Sequence, residues 1–273
     1  MRSLFIFGIG YSGQEIARAA KQQGYAVAGT CRDAGKCEML KGHGIDAYRF
    51  DQVPSSVLAA ATHVLNSIPP QEGVGDLVLA QYGKLLPEDA WLGYLSTTGV
   101  YGDWSGAWVD EQSELRAGNA RLERRVAAEG QWQKLGGHVF RLAGIYGPGR
   151  NAVEDVRAGE ARRLDKPGQV FSRIHVVDIA QTVLASMVQP HPGAAYNVCD
   201  DEPAPASDVV AYACELAGVP ILPLIPFAQA QMSPMAREFY SANRRVNNLK
   251  IKEELGVVLR YPTYREGLRA VNL

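Results

Sequence analysis

The sequence predicts an α/β protein, a doubly wound parallel sheet of the Rossmann type with a smaller C-terminal substrate lobe. Short β-like runs at residues 4–7, 26–30, 47–50, 64–67, 91–96 and 139–142 alternate with helical patterns that begin near Tyr11, Ala34, Ser55, Gly75 and Glu111, and such alternation makes parallel sheets. The first strand runs into Gly8-Ile-Gly10-Tyr11-Ser12-Gly13, the glycine spacing of a strand-to-helix turn that approaches phosphate. After about Gly147 the alternation fails and Pro/Gly interruptions multiply, at Pro167-Gly168, from Pro190 to Gly193 and from Pro203 to Pro205. The expected division is a dinucleotide-binding domain over residues 1–147 and a mostly substrate-binding lobe over 148–273, with about 170–200 returning to the first domain.

Composition narrows the partners. A formal net charge of -1 with 21% charged residues argues against nucleic acid or an acidic polymer. The apolar run after Met1 is too short for a secretory signal and breaks at glycines, and no window approaches the ~20 apolar residues of a membrane span. A cytoplasmic protein with no membrane and no nucleic-acid partner is expected. Cys31, Cys37, Cys199 and Cys214 lack zinc spacing, so no metal site is expected and the four read as buried, reduced thiols.

Each glycine of the first turn has a task. Gly8 permits the tight turn, Gly10 lets backbone approach a pyrophosphate and Gly13 allows helix and strand to pack closely. The helix N-terminus, with Tyr11 and Ser12 in its first turn, adds free N–H groups and positive potential. The second strand ends Thr30-Cys31-Arg32-Asp33. A carboxylate at its tip suits the ribose 2′-OH of NAD, whereas a guanidinium suits a 2′-phosphate. Arg32, with the Thr30 hydroxyl and Lys36 nearby, favours NADP(H) over NAD(H). Asp33 could serve NAD instead, or cap the next helix. Asp51 could accept from the adenine amino group or cap a loop, and Asn66 and Ser67, ending the fourth strand, are expected to line the cofactor.

With these residues the chain resembles the extended and atypical short-chain dehydrogenase/reductases, the NAD(P)-dependent epimerase/dehydratase-like group. The resemblance extends through Leu95-Ser-Thr-Thr-Gly-Val-Tyr-Gly102-Asp103, Phe140-Arg-Leu-Ala-Gly-Ile-Tyr-Gly-Pro-Gly149, Ile174-His-Val-Val-Asp178 and Tyr196-Asn-Val-Cys199. Phe7 stands where the extended group's first glycine would be, which points to the atypical branch. The resemblance implies an oxidoreductase or epimerase acting on a polar small molecule, nucleotide-linked in the resembling enzymes. It also implies a Tyr-x-x-x-Lys pair on the helix after Val-Tyr-Gly, helped by a Ser/Thr hydroxyl. The hydroxyl place falls on Thr97, but the helix holds neither tyrosine nor lysine: Ala117 takes the tyrosine place and Arg121 the lysine place. Thr97 and Arg121 are the catalytic candidates, and an NADP(H)-binding sensor without turnover is the alternative to an enzyme.

The second half supplies candidate substrate contacts. Arg150, after Gly147-Pro-Gly149, and Arg173 and His175, before a helix, could reach a phosphate or carboxylate. Asp178 reads as a helix-start residue. Residues 111–134 read as one long charged helix with Arg121, Arg124, Arg125 and Glu129 on a solvated face. In the resembling family that helix often packs between two subunits, so a homodimer and a monomer both remain open.

Overall fold

The computed structural model describes residues 2–271, with side chains outside 234–236. Seven parallel strands form its centre: β1 (Ser3–Phe7), β2 (Ala26–Cys31), β3 (Asp46–Arg49), β4 (His63–Asn66), β5 (Trp91–Thr97), β6 (His138–Leu142) and β7 (Ala195–Val198). Their order is β7-β6-β5-β4-β1-β2-β3. The chain winds outward from β1 to β3, then crosses back to β4 on the other side of β1, so the winding reverses between β1 and β4. Ligands of open α/β sheets bind beyond the carboxyl ends of the strands at such a point. Strands β5 and β6 and the edge strand β7 are buried on nearly every residue, as parallel strands covered on both faces must be.

The helices are α1 (Tyr11–Gln22), α2 (Ala34–Gly42), α3 (Ser55–Ala59), α4 (Leu77–Tyr82), α5 (Ala120–Lys134), α6 (Ala152–Arg157), α7 (Val176–Val188), α8 (Ala206–Ala217), α9 (Pro234–Phe239), α10 (Leu249–Leu255) and α11 (Tyr264–Val271). Helix α1 buries Ile16, Ala17 and Ala20, a narrow stripe of small residues that lets it lie close to the sheet and against α7. On the opposite face α5 buries Trp132, whose ring stacks on Tyr94 of β5 at 6.1 Å and whose indole N–H donates to Asp76. A separate cluster that includes Tyr146, Val153, Val209 and Leu268 packs α6, α8 and α11 together. Two parallel two-strand ribbons border the crevice: Gly144–Tyr146 with Arg173–His175, and Trp108–Val109 with Arg245–Val246.

Three sequence expectations are corrected. The helix expected from residue 111 begins only at Ala120, because residues 108–109 pair as a strand and Glu111 is drawn in to accept from the Asn197 amide at 2.7 Å. Asn119 then caps α5 by accepting from Leu122 N. The supposed solvated face is also partly buried: Glu129 is 1% exposed and holds Arg141 in an ion pair at 2.8 Å. Cys31 and Cys37, read as reduced thiols, form a disulfide, since the end of β2 and the first turn of α2 bring their Cα atoms to 5.6 Å. Cys199 and Cys214 are free and buried.

Candidate active site

The turn after β1 is shaped around an opening. Gly8 has φ +84°, which L side chains rarely adopt, and a Cβ there would strike Ile68 at 2.8 Å. At Gly13 a Cβ would press on the Gly8 carbonyl oxygen at 3.1 Å, so this glycine sets how closely α1 lies on the turn. At Gly10 a Cβ would meet no atom within 4 Å. Gly10 is also the N-cap of α1, and no side chain caps the helix or places an acid in its first turn. The turn therefore presents the N–H groups and the positive end of α1 to open space. Those residues fit a dinucleotide pyrophosphate.

Thr30 has a different role from the one expected. Rather than facing a ribose, its hydroxyl accepts from Gly8 N at 2.8 Å and its carbonyl from Ile9 N at 2.8 Å, so β2 fixes the glycine turn. Asp33 caps α2 by accepting from Lys36 N at 2.8 Å. Its carboxylate is spent on the helix, while Arg32 is exposed and has no polar partner among the described residues. Asp51 is also exposed and pairs with Arg49 at 3.5 Å. Asn66 is corrected from a lining residue to a floor residue. It is fully buried, its amide donating to Asp76 at 2.9 Å and its carbonyl oxygen accepting from Ile68 N. That grip presses the segment carrying Ser67 against Gly8.

Beyond β5 and β6 lies a crevice of about 900 Å³. Thr97, at the end of β5, lines it and uses its hydroxyl oxygen to accept from Gly99 N at 3.1 Å, which leaves the hydroxyl hydrogen for a ligand oxygen. Beneath this end runs a buried chain of polar groups. Ser96 donates to Glu129, Glu129 holds Arg141, and Arg141 donates to the Tyr101 hydroxyl, which donates to Asn197. Burial holds the Tyr101 phenol up at about 12. Tyr101 therefore supports the strand ends.

The expected helix register is corrected as well. Ala117 precedes α5, so it cannot share a helical i, i+4 spacing with Arg121. The residues of that spacing which do line the crevice are Arg121 and Arg125. Arg121 sits at the mouth and pairs with Glu238 of α9 at 2.9 Å, and Asn119 donates to the same carboxylate at 2.7 Å. Arg125 lies deeper and donates to the Leu95 carbonyl at 2.9 Å.

Of the substrate candidates, two line the crevice. Arg150 is exposed and stands over the Tyr11 ring at 5.8 Å, and Tyr11 itself donates to the Pro148 carbonyl. The glycine turn and the 147–150 loop are thus held side by side. Arg173 donates to the carbonyls of Phe171 and Ala204 at 2.8 and 3.0 Å. His175 is corrected to a structural residue. It is 2% exposed, caps α7 through Val177 N and packs against Tyr146 and Tyr261. Burial lowers its pKa to about 4, so it is neutral near pH 7. Asp178 accepts from Arg260 N and Tyr261 N and ties down the C-terminal segment.

Sequence reasoning passed over Arg125 and Arg244. Arg125 could have been found by its i, i+4 spacing from Arg121. Arg244 reaches the crevice through the ribbon of residues 245–246 with 108–109, a long-range pairing with no local signature.

No protein-family model matches the chain. The structure of a conserved protein of unknown function from Silicibacter pomeroyi is 50% identical, with a TM-score of 0.91 and coverage of 100% of this chain and 98% of that one. The 3-diazoavenalumate denitrifying reductase of a Streptomyces species is 26% identical over 98% of this chain and 99% of its own. Two solved structures, each 16% identical, share the fold. The dTDP-glucose 4,6-dehydratase of Bacillus anthracis in complex with NAD has a TM-score of 0.77, covering 100% of this chain and 96% of its own. The human epimerase family protein SDR39U1 with NADPH has a TM-score of 0.72, covering 98% and 99%. The chain belongs to the family of the Silicibacter pomeroyi protein, and its fold is that of the extended and atypical, epimerase/dehydratase-like short-chain dehydrogenase/reductases.

Proposed function

We propose that the protein is an NAD(P)-dependent oxidoreductase or epimerase/dehydratase-like enzyme that prefers NADP(H) to NAD(H) and acts on a polar small molecule. The observation that carries this reading is the open space over Gly10 at the uncapped start of α1, on the same sheet edge as the crevice. A nicotinamide dinucleotide bound there supplies or accepts a hydride. The chain's own groups bind and orient. The first turn of α1 holds the pyrophosphate, Arg32 and Lys36 attract a 2′-phosphate, the Ser67 segment walls the cofactor channel, and Thr97 donates to a substrate oxygen. Arg121 and Arg125 supply fixed positive charge, because a guanidinium does not give up its proton at neutral pH.

The NAD and the NADPH of the neighbouring structures support a nicotinamide cofactor, the exposed Arg32 supports NADP(H) over NAD(H), and the name of the Streptomyces relative supports reductive chemistry. The second reading, an NADP(H) sensor without turnover, is favoured by one specific observation: α5 carries two arginines where a phenol and an ammonium would move the proton. One experiment orders the two. Purified protein is titrated calorimetrically with NADPH and with NADH, then incubated with deuterated NADPH and a panel of aldehydes and ketones. NADPH binding about tenfold tighter than NADH, followed by deuterium in a product, is the expected result. Binding with no deuterium transfer selects the sensor, and binding of neither cofactor rejects both readings.

A further inference from the structure

Five guanidinium groups line the crevice, those of Arg121, Arg125, Arg150, Arg173 and Arg244, against the carboxylates of Asp103 and Glu238. The chain as a whole carries a net charge of -1, so this positive excess is local. Each carboxylate has one oxygen engaged, and the charge of Asp103 also acts on Arg244. Asp103 accepts from the amides of Asn243 and Ser105, and Glu238 accepts from Asn119 and Arg121. Among the described residues, no carboxylate lies within salt-bridge distance of Arg125, Arg150, Arg173 or Arg244.

Arg244 is the most exacting of these. One of its terminal N–H groups donates to the Gly102 carbonyl at 2.9 Å, whereas its Nε is buried with no acceptor. Burial pulls its pKa down to about 10, which still leaves it charged at neutral pH. A buried N–H donor with no acceptor is costly unless an anion completes it. Its anchor, Gly102, ends the turn that Thr97 caps after β5, so the unmet donor belongs to the same wall as Thr97. Phe171 and Phe239 add apolar surface to the crevice.

Resting on the proposed enzyme reading, we infer that the crevice takes an amphiphilic anion, a carboxylate or phosphate on an apolar body, whose charged group is held by Arg244. The planar fork of arginine suits either anion.

The test is calorimetric titration of the protein, with and without saturating NADPH, using benzoate, phenyl phosphate and the uncharged benzamide. At least one anion is expected to bind about tenfold tighter than benzamide. That preference is expected to vanish in Arg244→Gln and to return in Arg244→Lys, which restores the charge. The better anion tells carboxylate from phosphate. Equal binding of all three probes, no binding of either anion at millimolar concentration, or an anion preference that survives Arg244→Gln overturns the inference. NADPH binding is scored in the same samples, so loss of cofactor binding with anion preference intact counts against the enzyme reading and not against the anion site.

Discussion

The turn after β1 and the crevice beyond β5 share one edge of the sheet and are made of different material. The turn is backbone: three glycines, an uncapped helix start and the Thr30 hydroxyl that grips Gly8. The crevice is side chain, with arginines and one threonine standing on a buried ionic network. A backbone site is conserved in shape by sterics and needs no particular side chain to work. A side-chain site can change its chemistry while its scaffold stays fixed. The chain therefore keeps a cofactor-shaped turn while its crevice carries Arg121 and Arg125 on the helix where the related fold places a proton-transfer pair.

The largest expected effect breaks the scaffold under the crevice and spares the turn. Glu129 is the carboxylate partner of the buried Arg141 guanidinium, with Ser96 on its other oxygen. Glu129→Ala leaves an uncompensated buried charge and is expected to cost about 3–5 kcal/mol in urea unfolding. A loss under about 1 kcal/mol would show that water or a rearranged partner compensates Arg141.

The next effect is read in pH. His175 packs where the ribbon of residues 144–146 and 173–175 meets α7, and its folded pKa of about 4 lies below the ordinary histidine value. The neutral form is the one the fold accepts. Its contribution is present above about pH 6.5 and is lost as pH falls through the window down to about 4, because the unfolded chain takes up the proton first. The loss approaches roughly 3 kcal/mol. His175→Asn keeps an acceptor for Val177 N, so it should flatten that part of the stability–pH curve. An unchanged slope would place the titration elsewhere, His63 and His138 also being lowered by burial.

A third prediction separates the two glycines of the turn. Gly10→Val places its side chain in space that no protein atom fills. Thermal stability should hold while NADPH affinity falls by about 100-fold, roughly 2.7 kcal/mol. Gly13→Val forces a side chain onto the Gly8 carbonyl, so it should lower the melting temperature as well. If Gly10→Val binds NADPH normally, the start of α1 does not hold the pyrophosphate.

How much of this was legible differs between the same two regions. The sheet and the turn were, because a strand, three spaced glycines and an amphipathic helix are contiguous and each has a local cause. The crevice was legible only in part. Thr97, Arg121, Arg150 and Arg173, which neighbouring motifs suggest, line it, whereas His175 and Asn66 are buried: a sequence does not show that a polar group is already satisfied. Asn66 spends its amide on Asp76, ten residues on. The start of α5 was missed because a strand pairing with residues 245–246, more than a hundred residues away, holds the preceding segment extended. The Cys31–Cys37 bridge was missed because its spacing carries no signature until β2 and α2 set the two Cα atoms 5.6 Å apart.

The smallest expected effect tests the rim of the turn, where backbone gives way to side chain. Asp33 is the acid that could have selected NAD, and it is occupied in capping α2, whereas Arg32 beside it is exposed and unpaired among the described residues. An exposed guanidinium meeting a phosphate is screened by water and salt, so its contribution is about 1 kcal/mol. Arg32→Ala should weaken NADPH about fivefold and leave NADH within twofold, with the difference shrinking as salt is raised. Equal weakening of both cofactors would mean that Arg32 serves the adenosine as a whole. No change in either would move the 2′-phosphate contact to Lys36, in the first turn of α2, where Lys36→Ala should then produce the fivefold loss.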